Sequence, residues 1–141
     1  MVTESSIAPI GNPCVATAVI ETGAGLTLLI LPSTTAVLLL DVPLQAAAEV
    51  TVARVAGMAL VTLGVASWLA RGDTQGRAAR GFVGAMVLYN LGVALVLGDA
   101  GVASHLIGIA LWPAVALHLS MTAWCIASFL GQSGLMSGHQ G

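Results

Sequence analysis

The chain has 141 residues, 57% of them hydrophobic and only 7% charged, with a formal net charge of −2. A water-soluble domain carries roughly 25% charged residues to cover its surface, so this composition excludes an ordinary soluble fold and points to lipid as the surrounding medium. All the basic residues are arginines, Arg54, Arg71, Arg77 and Arg80, and no basic face of the kind that nucleic-acid binding requires is formed.

The start of the chain, Met1-Val2-Thr3-Glu4-Ser5-Ser6, has no basic region ahead of its first apolar stretch, and a cleaved signal peptide is not expected. Four stretches reach the ~20 apolar residues that a helix needs to cross a hydrocarbon core of ~30 Å. The first covers 14–31. After it, Pro32 and the run Ser33-Thr34-Thr35 lead into Ala36-Val37-Leu38-Leu39-Leu40. One reading breaks the helix at Pro32 and starts a short interfacial or re-entrant helix over 34–40, capped by Ser33 or Thr34; the other runs a single kinked helix to Leu40, ~39 Å long. The break is preferred because the longer helix exceeds what the core requires. Asp41 and Pro43 then stand where the start signal of the second span, 47–70, is expected. A loop over 71–80 follows, then a third span over 81–97 and a fourth over 105–130. Pro113, in the dipeptide Trp112-Pro113, is expected to kink the fourth helix and free the carbonyl of Ile109. The fold class is therefore all-α: an integral membrane protein, a four-transmembrane-helix bundle in a single membrane domain.

Orientation follows from the loop 71–80, which carries Arg71, Arg77 and Arg80. Short loops rich in arginine stay cytoplasmic, so both termini are expected inside, in a bacterial inner membrane. Small residues recur within the spans at Gly23, Gly25, Ala53, Gly57, Gly64, Gly84 and Gly92, as they do where helix backbones approach closely in lipid. The repeated words Leu63-Gly64-Val65-Ala66 and Leu91-Gly92-Val93-Ala94 lack flanking glycines in register, so no internal duplication is inferred.

Ionisable residues at membrane depth are costly and mark functional candidates. Glu21, Arg54 and His118 qualify, and Asn90 beside Tyr89 adds a polar side chain. Helical rise places Glu21 ~10 Å from the inner end of its span, Asn90 ~14 Å from the inner end of its own, and His118 ~20 Å below His105. These three are expected in one inner layer, with Arg54 in a separate outer one. Each has a plainer alternative. Glu21 serves either as interhelical glue or as a proton- or cation-binding group. His118 is either a satisfied hydrogen-bonding partner or, with Met121 and Cys125 on its helical face, part of a soft-metal site. Arg54 either snorkels to the interface or holds an anion. Trp112, like Trp68, fits an interfacial anchor, and the two cysteines, Cys14 and Cys125, fit small apolar side chains.

No nucleotide-binding loop, zinc-protease helix, nucleophile elbow or di-iron histidine set is present; no cofactor is assigned and an enzyme reading has no motif behind it. With its size, its four spans and Glu21 in the first, the chain is similar to the small multidrug resistance transporters, which carry a membrane-embedded glutamate there. That resemblance implies a proton- or cation-coupled oligomer, although the arginine-rich loop departs from that family's weak charge bias. The run Glu21-Thr22-Gly23-Ala24-Gly25-Leu26-Thr27-Leu28-Leu29 also looks loosely like helices of DoxX-type four-helix membrane proteins. Three functions are carried forward. The first is a non-enzymatic accessory or structural subunit of a membrane complex; the second is a small oligomeric transporter or channel using Glu21. The third is a redox, haem or metal-handling component using His118. The expected partners are the lipid bilayer and further copies or other membrane subunits.

Overall fold

The computed structural model of the protein describes residues 13–72 and 76–137, without the side chains of Arg77 and 131–137. The N-terminal reading on residues 1–12 and the middle of the loop 71–80 lie outside the described residues. Five helices follow one another, α1 (Pro13–Ile30), α2 (Pro32–Leu40), α3 (Ala47–Ala70), α4 (Arg77–Val102) and α5 (Leu111–Ser137), and there is no strand among the described residues. Four of them, all but α2, are long and apolar enough to cross a membrane. Within those apolar windows only 17–22% of residues are buried inside the chain, so most of each helix turns an apolar face outward.

Packing is concentrated in two helix pairs, α1 with α3 and α4 with α5. In the first pair the helices run antiparallel, with Gly25 against Gly57 and Ala18 and Thr22 against Gly64. A Cβ on Gly25 would stand 2.6 Å from the Gly57 carbonyl oxygen, and one on Gly57 would stand 2.8 Å from the Gly25 carbonyl oxygen. Only residues without a side chain allow two backbones to come so close. In the second pair Val83 and Met86 of α4 pack against Cys125 of α5, with Leu63 of α3 joining from the first pair.

The break after the first span is real and has a local cause. Leu31 leaves helical geometry (φ −128°, ψ 56°) just before Pro32, which opens α2, because a residue preceding proline is pushed out of the α region. The short helix thus begins at Pro32 rather than 34, and neither Ser33 nor Thr34 caps it. The Ser33 hydroxyl instead donates to the Leu44 carbonyl at 3.3 Å, which folds the segment after α2 back along it. Asp41, expected to help start the next helix, ends α2 in a left-handed conformation (φ 59°) with its N–H on the Val37 carbonyl. The start of α3 is closed by Glu49, whose Oε2 accepts the N–H groups of Gln45 and Ala46 at 2.8 and 3.1 Å.

The fourth span also differs from expectation. Residues 103–110 form a connection, and the helix starts at Leu111 instead of 105. His105 takes a left-handed φ of 54°. Gly108 lies so close to the backbone of Leu39 and Leu40 that a Cβ would overlap it, and Ala110 donates its N–H to the Leu38 carbonyl at 2.8 Å. This backbone latch ties α2 to the connection between α4 and α5. Pro113 consequently stands in the first turn of α5, where a missing N–H breaks no intrahelical bond. Ile109 precedes the helix, so the expected mid-helix kink beside its carbonyl does not arise. The third span reaches from 77 to 102, longer than 81–97, and places Arg77 and Arg80 in the first turn of α4 rather than in a loop.

Candidate functional site

Glu21 belongs to the buried stripe of α1, with Thr17, Ala18 and Gly25, and is 3% exposed. Residues three and four apart share a helical face, so the stripe that brings α1 against α3 also draws the carboxyl inward. On α4 the buried positions Val83, Met86, Asn90 and Ala94 recur at the same spacing and face α5. Tyr89, one position earlier than Asn90 and therefore about 100° around the helix, is aimed at the other helix pair.

That offset assembles the site. The Tyr89 hydroxyl donates to Glu21 Oε2 at 2.9 Å, a bond between α4 and α1. Asn90, 1% exposed, donates from Nδ2 to the Met86 carbonyl of its own helix at 2.8 Å, and its Oδ1 lies 2.9 Å from His118 Nδ1 on α5. Since Asn90 spends its NH₂ on Met86, its Oδ1 is an acceptor, and the proton of this second bond belongs to His118 Nδ1. The imidazole Nε2 then carries a lone pair in the neutral ring, or a second proton in the charged one. The two halves of the cluster meet where the Tyr89 and His118 rings stand edge to face, centroids 6.0 Å apart at 82°. Thr122 donates its hydroxyl to the His118 carbonyl at 2.8 Å, so it decorates the helix without extending the cluster.

Glu21, Asn90 and His118, expected in one layer, are thus brought together, with Tyr89 as the link. His118 reaches it from a helix that begins at Leu111, so its distance from the helix start is ~10 Å rather than ~20 Å. Arg54 is exposed and outside the cluster. Trp112 is 53% exposed and packs near Gly101, while Met121 and Cys125 are buried on the α5 face toward α4. Among the described residues no group of three or more His, Cys, Asp and Glu side chains converges as a cation site. Trp124, which no sequence pattern singled out, has its indole Nε1 buried with no partner.

Two apolar grooves open away from the protein. One, of about 390 Å³, runs along α4 past Tyr89, Gly92, Val93 and Val96. The other, of about 450 Å³, lies between α1 and α3 beside Thr22, Leu26, Val65 and Trp68. Comparison of the chain with family models, with curated proteins and with solved structures finds no match.

Proposed function

We propose that this chain is a small polytopic membrane protein that works as an oligomeric transporter or channel, with Glu21 as the carboxyl group that takes up and releases a proton or cation. Its four apolar helices span a bacterial inner membrane, both termini in the cytoplasm and the arginines around residues 71–80 on that side, in accord with the retention of basic loops. The observation that carries the reading is the position of Glu21: almost wholly buried, on one helix pair, and bonded to Tyr89 on the other.

A carboxyl group in that position links charge to geometry. Ionised, it accepts the hydrogen bond of the Tyr89 hydroxyl but is otherwise costly to keep away from water. Protonated, it loses that cost and gains a donor. A change of charge at Glu21 therefore alters how favourably the two helix pairs lie against each other, and it does so at the place where they meet through polar side chains. Four helices enclose little volume, and the grooves open outward, so a continuous path calls for further copies of the chain.

The test is Glu21→Gln in vesicles loaded with a pH-sensitive dye and driven by a potassium diffusion potential. Glutamine keeps an acceptor for Tyr89 but cannot titrate. Acid influx through the wild-type protein should exceed that of empty vesicles, and the variant should fall to the empty-vesicle rate while keeping its thermal stability in detergent. A variant as active as the wild type, or a wild type no leakier than lipid alone, overturns the reading.

The second reading is the accessory or structural subunit. It is favoured by the small buried share of each apolar window, which leaves broad faces for other membrane helices. Under it the cluster is glue, Glu21→Gln changes nothing, and the protein co-purifies with a partner at fixed stoichiometry in mild detergent.

A further inference from the structure

Arg54 stands apart from the polar cluster and needs an account of its own. It lies seven positions after Ala47, so ~10 Å along α3. The 24 residues of α3 extend ~36 Å against a hydrocarbon core of ~30 Å, which puts Arg54 within a turn or two of the membrane boundary. Its side chain is exposed beside the exposed Val55 and Met58, on a wall that faces lipid in the membrane reading above. Among the described residues no hydrogen bond or ion pair reaches it. The acid closest along its own helix, Glu49, is engaged by the N–H groups of Gln45 and Ala46.

A guanidinium on an apolar wall is tolerated where its forked donors find acceptors. At the membrane boundary the abundant anionic acceptor is the headgroup phosphate, whose oxygens match a guanidinium in pairs. A long side chain can lay its methylenes along the apolar face and carry its charge up to that level. We propose that Arg54 holds the phosphate of an anionic phospholipid at the rim of α3. The site rests on membrane insertion but not on any titration at Glu21.

Native mass spectrometry of the detergent-purified protein, titrated with phosphatidylglycerol and separately with phosphatidylcholine, tests this. The wild type should bind phosphatidylglycerol preferentially, and the preference should fade in high salt as screening grows. Arg54→Gln should bind it about tenfold more weakly, the loss of one charge-assisted pair. Arg54→Lys should recover part of the difference, and Glu21→Gln should bind normally. Inorganic phosphate should not displace the lipid. Equal binding by Arg54→Gln overturns the proposal, as does displacement by inorganic phosphate. So does an Arg54→Gln protein that falls from oligomer to monomer with lipid binding intact, which would assign the guanidinium to an acid of a second copy. Should Arg54→Gln fail to fold, a wild type without preference for the anionic lipid decides against it equally.

Discussion

Asn90 and Tyr89 are neighbours in sequence but serve different helices, and the energetic consequences of losing them differ accordingly. Tyr89→Phe removes one hydroxyl and one interhelical hydrogen bond, of a kind worth roughly 0.6 and at most about 1.7 kcal/mol inside a membrane. Asn90→Ala strips the acceptor from His118 Nδ1 in a buried position, and an orphaned donor costs about 1–3 kcal/mol. Asn90→Ala should therefore lower the thermal midpoint in detergent more than Tyr89→Phe, and Asn90→Asp, which keeps the acceptor, should fall between wild type and alanine. Equal losses for all three would mean that the His118 bond contributes nothing. At this scale the sequence marked Glu21, Asn90 and His118 by their cost in lipid, and it set Tyr89 only beside them. The Tyr89–Glu21 bond was not legible, because which of two adjacent residues faces which helix depends on the rotation of α4.

The helices themselves divide their glycines into two kinds. Gly25, Gly57 and Gly64 lie where α1 and α3 touch through backbone, whereas a Cβ on Gly23, Gly84 or Gly92 would meet nothing within 4 Å. Gly57→Ala should destabilise by about 1–3 kcal/mol, since overpacking here pushes against a carbonyl rather than a movable side chain. Gly23→Ala should be neutral or stabilising by up to ~1 kcal/mol through helix propensity. Circular dichroism melts of the two variants separate these outcomes, and a destabilising Gly23→Ala would show that its face is occupied. Sequence spacing drew attention to the step from Ala53 to Gly57, but the contact with α1 runs from Gly57, against Gly25, to Gly64, two turns on, against Ala18 and Thr22. Pro32 and Pro113 act as starters: Pro32 opens α2, and Pro113 lies in the first turn of α5. Pro32 was legible as a break from the sequence, whereas Pro113 read as a kink, and the segment before it is instead held out of the helix where Gly108 and Ala110 dock on α2.

For the whole molecule, the two helix pairs are tied at α2 by the backbone latch and along the helices by Tyr89 and Glu21. The membrane reading assigns both termini and the segment around 71–80 to the cytoplasm. A C-terminal fluorescent-protein fusion should be bright and an alkaline phosphatase fusion inactive, while a phosphatase inserted after Ala103 should be active. The opposite pattern would invert the topology and place Arg54 in the inner leaflet.

Composition alone pointed to lipid, because 7% charge is far below the share that covers a soluble surface, and segment length alone determined the number of helices able to cross a bilayer. The arginine-rich segment carried the expected orientation. The tertiary structure decided everything that depends on rotation and docking: the pairing of α1 with α3, the start of α5 at Leu111, and the meeting of Glu21, Tyr89, Asn90 and His118. The physical reason is that burial in lipid rewards an apolar helix in any rotation about its axis. Only close backbone contacts at a few glycines and hydrogen bonds between polar side chains select one rotation.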